Sequence, residues 1–134
     1  ICSFSILLAS CYTFTNTKIK TEDFYFRGFP ATWNIVVLYF YILESSTTTN
    51  LIFIALLCLL TFIPFKYVHP FRVVEYRKLT LLFTLIWMIT TTVLLFDLAL
   101  TQPLFAQINF IIWVVSNLYF LVNTLIRSYR YLLN

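Results

Sequence analysis

An all-α fold, a polytopic bundle of transmembrane helices with four spans and a truncated N-terminal helix, is what three observations predict for this chain. First, 61% of its 134 residues are hydrophobic and only 10% are charged. A soluble domain carries about 25% charged residues to cover its surface. Second, the apolar runs are long and continuous. A transmembrane barrel would instead alternate apolar and polar residues in segments of roughly ten. Third, the basic residues collect in alternate loops, as the positive-inside rule requires of a multi-span protein.

The elements follow in order. Ile1 to Phe14 is apolar and shorter than the roughly 20 residues a span needs, so it reads as the end of a helix cut within the membrane. Thr15 to Asp23 is a polar, charged loop. Phe24 to Leu43 is apolar and aromatic, interrupted at Arg27-Gly28 and at Pro30. Proline suits the first helical position, so the helix is expected to start at Pro30. Glu44 to Asn50 is a polar turn, with Asn50 as the expected cap of the next helix, Leu51 to Phe65. Lys66 to Lys78 is a charged loop, Leu79 to Leu100 a full span, and Thr101-Gln102-Pro103 a tight turn. Leu104 to Ile126 is a second full span, and Arg127 to Asn134 a basic, aromatic tail. No internal repeat or linker divides the chain, which reads as one membrane domain.

All nine basic residues fall in three places: Lys18, Lys20 and Arg27; Lys66, Arg72, Arg77 and Lys78; Arg127 and Arg130. The loops between them carry only Glu44 and, nearby, Asp97. This puts the C-terminus and the stretch around Gly28 on the cytoplasmic side. The net charge of +4 is thereby a mark of topology rather than of a nucleic-acid surface. Cys2, Cys11 and Cys58 lie in or beside apolar runs without metal-like spacing and read as small hydrophobes.

Two stretches could carry chemistry. Lys20 to Asn34, KTEDFYFRGFPATWN, holds the chain's single glycine. A helix from Pro30 to Leu43 would span about 21 Å, less than the roughly 30 Å of the hydrocarbon core. Phe24 to Phe29 is then expected at membrane depth, broken at Gly28. Irregular backbone is tolerated there only where protein buries it or a wet cavity meets it. The bland reading is an interfacial belt of aromatics, Phe24, Tyr25, Phe26, Phe29 and Trp33. The second stretch, Pro64 to Lys78, holds the single histidine, His69, and three cations suited to phosphate, Arg72, Arg77 and Lys78. Its bland reading is a basic cytoplasmic loop with a structural histidine. Asn109, Ser116 and Asn123 recur at seven-residue spacing beside Asn117, a stripe that reads as glue between helices. No glycine-rich phosphate loop, HExxH or CxxC motif occurs.

Lys20-Thr21-Glu22-Asp23, Phe26, Gly28-Phe29-Pro30, Trp33-Asn34 and Tyr39 resemble the middle of the bacterial phosphatidylcholine synthases. Phe62, Pro64, Tyr67-Val68-His69-Pro70 and Arg72 resemble the next loop of the same family, in the same order. These enzymes are CDP-alcohol phosphatidyltransferases. The resemblance implies transfer of the phosphatidyl group of CDP-diacylglycerol to choline, giving phosphatidylcholine and CMP, in the bacterial inner membrane. It also implies a divalent metal, manganese or magnesium, and it leaves a homodimer open. The superfamily signature D-G-x₂-A-R-x₈-G-x₃-D-x₃-D, which binds that metal, is absent from this sequence. The chain is therefore expected to be the C-terminal part of such an enzyme, inactive alone, with no catalytic or metal-ligating residue of its own. The substrate-binding candidates are Lys20, Asp23, Phe26, Phe29, Trp33, Asn34, His69 and Arg72. The aromatics would cage the quaternary ammonium of choline, Asp23 would add a counter-charge, and Lys20 and Arg72 would meet phosphate. From a different class, a non-catalytic carrier or binding subunit for a quaternary amine would use the same aromatics.

Overall fold

Five helices and one short antiparallel ladder make up the computed structural model, which describes residues 2–16, 25–96 and 102–133. Helix α1 is Cys2–Thr15, α2 Trp33–Ile42, α3 Thr47–Leu60, α4 Arg77–Leu95 and α5 Pro103–Leu133. Strands β1, Phe26–Arg27, and β2, Lys66–Tyr67, pair in the register Phe26 with Tyr67 and Arg27 with Lys66. The all-α expectation thus omits one small ladder. Two helices, α4 and α5, are long and apolar enough to cross a membrane. Helices α1, α2 and α3, at 14, 10 and 14 residues, are shorter apolar helices.

The long pair packs through small and polar side chains. On α4, Thr80, Thr84, Thr90 and Thr91 are buried, so its backbone can approach α5 closely. Phe83 stacks on Tyr119 at 4.2 Å between ring centroids, and Thr80 Oγ1 shares a hydrogen bond with the Tyr119 hydroxyl at 2.8 Å. Asn109 Nδ2 donates to the Thr90 carbonyl at 3.1 Å, and Trp113 Nε1 to Thr91 Oγ1 at 3.1 Å. Helix α2 joins them at Tyr39. The Tyr39 hydroxyl donates to Asn117 Oδ1 and accepts from Trp87 Nε1 at 3.0 Å. Of the polar stripe on α5, Asn109 and Asn117 therefore bridge helices, while Ser116 Oγ bonds back to the Ile112 carbonyl of its own turn. The outward faces remain apolar, with Leu85 and Ile89 on α4 and Ile111 and Leu125 on α5 all exposed.

Several helix ends differ from the sequence expectations. Helix α2 starts at Trp33, not Pro30. The Phe29 amide is engaged by the Leu60 carbonyl, so Pro30 continues the extended segment. Ala31, at φ 56°, then turns the chain before Thr32 caps the helix. That leaves α2 about 15 Å long. Helix α3 is capped by Ser46, whose Oγ accepts from the Thr49 amide at 3.2 Å, so Asn50 lies inside the first turn rather than at the cap. Between α2 and α3 the chain makes a Schellman turn. The Ser45 and Glu44 amides bond to the Phe40 and Tyr41 carbonyls, with Glu44 at φ 47°. The Arg127 to Asn134 tail is helical through Leu133, and it meets the facing loops where Ser128 accepts from the Lys66 amide and Arg127 pairs with Glu75. Pro103 opens α5, where its missing N–H costs nothing. The rest of the expected turn before it, at Thr101, and most of the Thr15 to Asp23 loop lie outside the described residues, as does Asp97.

Candidate functional site

The two stretches singled out in the sequence meet at one end of the bundle. Backbone chemistry brings them together. A helix leaves its last four carbonyls without partners inside the helix, and the segment at Gly28 supplies amides to this region. The Phe29 amide donates to the Leu60 carbonyl at 3.2 Å, and the Gly28 amide to the Phe65 carbonyl at 2.8 Å. Gly28 sits at φ +86°, and a Cβ there would lie 2.3 Å from the Thr61 carbonyl oxygen. Only glycine admits this approach, which accounts for the chain's single glycine. Ladder β1–β2 follows directly. Helix α5 locks it from the other side, where Ser128 Oγ, buried, accepts from the Lys66 amide at 2.8 Å.

An aromatic cluster rides on this frame. Phe26, half-buried, stacks on the His69 ring at 5.2 Å. Phe29, 7% exposed, meets Trp33 edge-on at 5.2 Å and Tyr67 at 6.1 Å. Trp33 Nε1 donates to Ser10 Oγ of α1 at 3.0 Å. His69 closes the following turn. Its carbonyl accepts from the Arg72 and Val73 amides, and its Nδ1 accepts from the Phe71 amide at 3.3 Å. Partial burial and the neighbouring Arg72 charge hold the His69 imidazole below its ordinary 6.5, so it is neutral at pH 7. Burial likewise raises the Tyr67 hydroxyl above 10.0.

Of the sequence candidates, Phe26, Phe29, Trp33 and His69 come together here. Asn34 and Arg72 are exposed, Asn34 on the first turn of α2 and Arg72 on the His69 turn. Lys20 and Asp23 lie outside the described residues. Sequence reading passed over Tyr67 as a cluster member, although it stands in the family-like motif.

It also missed a set of cations on aromatic faces beside the cluster. Arg27 Cζ lies 5.1 Å from the Tyr131 ring centroid, and Lys66 Nζ lies 4.8 Å from it. Arg127 Cζ lies 5.9 Å from Tyr25 and 5.8 Å from Tyr76, and its guanidinium pairs with Glu75. In sequence these cations stand only as markers of topology. A cleft of about 220 Å³ opens next to Arg27, lined by Tyr12, Asn16, Thr61, Phe62, Ile63 and Pro64.

Among the described residues no three His, Cys, Asp or Glu side chains come close enough to hold a metal ion. Among the described residues at this end, the Glu75 carboxylate is taken by Arg127. These residues do not make a divalent-metal site.

No family model matches the chain, and no solved structure matches it significantly. Curated relatives do. The phosphatidylcholine synthase of Pseudomonas aeruginosa is 37% identical over 125 residues, which is 93% of this chain and 51% of that protein. The phosphatidylcholine synthase of Borreliella burgdorferi is 43% identical over 81 residues, 60% of this chain and 35% of the relative. That of Agrobacterium fabrum is 35% identical over 82 residues, 61% of this chain and 34% of the relative. The chain thus spans about half the length of the first and about a third of the other two. Within that share of their length, the chain is homologous to the bacterial phosphatidylcholine synthases.

Proposed function

We propose that this chain supplies the choline-facing wall of a phosphatidylcholine synthase, which transfers the phosphatidyl group of CDP-diacylglycerol to choline and releases CMP. The observation that carries the reading is the join between the two family-like stretches. Phe26, Phe29, Trp33, Tyr67 and His69 gather on one ladder, although they come from opposite sides of the α2–α3 excursion. Aromatic faces attract quaternary ammonium groups through their quadrupoles, and a neutral His69 adds no repulsion to such a cation.

In this reading the protein lies in the inner membrane, crossed by α4 and α5, with the shorter helices α1, α2 and α3 completing four spans and a partial one. The ladder faces the cytoplasm, where the water-soluble substrate arrives, and the C-terminus is on the same side. Phe26, Phe29 and Trp33 take the trimethylammonium, and Asn34, His69 and Arg72 line its approach. Lys20 and Asp23 add charge for phosphate and for choline. The aspartates of the superfamily signature are not in this sequence, so the role assigned to these residues is holding substrate.

The test uses membranes carrying the full enzyme, supplied with CDP-diacylglycerol, manganese and labelled choline. Trp33→Leu should raise the choline KM about tenfold, the scale of one desolvated cation–aromatic contact, while the KM for CDP-diacylglycerol stays the same. Unchanged choline kinetics would reject the cage. Choline retention without CMP release would favour the amine-binding carrier instead.

A further inference from the structure

Trp33 is tied to a helix outside both family-like stretches. Its Nε1 donates to Ser10 Oγ at 3.0 Å, across 23 residues of sequence. Thr13 and Thr15, also on α1, turn their hydroxyls back to the Ala9 and Cys11 carbonyls of their own helix. Ser10 instead meets a side chain of α2. Its place is fixed by contacts other than that bond. Ala9 beside it is 2% exposed, and Tyr12 sets its ring 4.9 Å from Phe62 at the end of α3. Trp33 itself is half-buried on the first residue of α2, where an indole N–H needs a partner.

The bond has a consequence for cation binding. An aromatic face attracts a cation, whereas the ring edge carries the positive side of the quadrupole. An indole that swings about its side-chain torsions therefore loses the attraction without losing its burial. Two contacts hold the plane of this one. Phe29 meets it edge-on, 5.2 Å between centroids with the planes at 69°, and Ser10 takes its N–H. Donation from the N–H also polarises the ring toward a more negative face. We propose that Ser10 is a positioning residue for the quaternary ammonium, holding the Trp33 indole so that its face and not its edge meets the cation. This rests on the assignment of Trp33 to the choline-facing wall in the reading above. Ser10 acts through Trp33 and needs no contact with substrate. Polar side chains between apolar helices also serve as plain glue, and the two roles separate in kinetics.

The experiment is a double-mutant cycle on the full enzyme in membranes, varying choline and CDP-diacylglycerol in turn. Ser10→Ala should raise the choline KM about fivefold, the scale of one net hydrogen bond, with kcat and the CDP-diacylglycerol KM within about twofold of the wild type. Ser10→Thr keeps the hydroxyl and should restore most of the loss. In a Trp33→Leu background, Ser10→Ala should add nothing further. In the solubilised enzyme, the Trp33 indole N–H proton resonance should move upfield in Ser10→Ala. Should that variant fail to fold, Ser10→Cys, with a weaker acceptor, carries the same test. A choline KM raised by Trp33→Leu but untouched by Ser10→Ala would overturn the positioning role and leave the cage standing. A lowered unfolding temperature beside that unchanged KM would mark Ser10 as glue. A further rise in the Trp33→Leu background would overturn the proposal too, because Ser10 would then act elsewhere, as would an indole resonance that stays in place. No change for either single variant would reject the cage and the positioning role together.

Discussion

The α4–α5 pair and the ladder end of the molecule are held together in opposite ways. The pair joins two long regular helices through side chains: threonines that let the backbones approach, and amides and indoles that reach across. The ladder end joins irregular segments through backbone groups, at a spot where the Gly28 Cα must pass close to the Thr61 carbonyl. The first kind of contact is distributed, so losing one member leaves the rest. The second depends on one passage. Robustness here follows from how many independent contacts share the load, not from how regular the elements are.

That contrast can be broken at its strongest point first. Gly28→Ala would place a Cβ 2.3 Å from the Thr61 oxygen, in a left-handed conformation at φ +86°. Overpacking and backbone strain together should cost about 3 kcal/mol. The expected outcome is a lowered unfolding temperature in detergent and early loss of hydrogen-exchange protection at the Gly28 and Phe29 amides. Wild-type stability for this variant would contradict the close approach. Next, Asn109→Leu removes the buried bond to the Thr90 carbonyl. Interhelical bonds of this kind average about 0.6 kcal/mol in a membrane protein, so this variant should unfold within a few degrees of the wild type. A loss as large as that for Gly28→Ala would erase the distinction between the two regions.

The smallest effect concerns proton binding. The folded pKa of His69 lies below its unfolded value of 6.5, through burial first and the Arg72 charge second. The stabilisation linked to neutral His69 is therefore complete above pH 6.5 and declines as pH falls through the folded pKa. Stacking on Phe26 pulls the other way, since a ring face favours the imidazolium. An NMR titration of the His69 ring should show a midpoint below 6.5. A midpoint at or above 6.5 would mean that the ring face outweighs burial and charge.

The long helices were legible because an apolar run of sufficient length has few other homes than a helix, and the amides at 109 and 117 stood out against it. Gly28 was legible as a break, and the shortness of the helix after it was expected. What the break does was hidden. The bonds from Gly28 and Phe29 to Phe65 and Leu60 involve only backbone atoms, and no side-chain pattern announces them. The same reason explains Pro30, whose helix-start signal lost to a tertiary bond at its neighbour. Arg27, Lys66 and Arg127 were visible as charges, but their shared rings, Tyr25 and Tyr131, come from opposite ends of the chain. Tyr131 itself stood in a stretch expected to be a tail.

The β1–β2 ladder makes everything between its strands a closed ring. Helices α2 and α3 leave from one side of it and return to the other, so they form a lasso whose knot is the ladder and whose far tip is the exposed turn at Glu44 and Ser46. Lengthening a flexible tip costs little, about 0.6 kcal/mol for each doubling of loop length. The tip can therefore drift in sequence and size, or carry an inserted epitope, while the knot keeps the aromatic cluster in register.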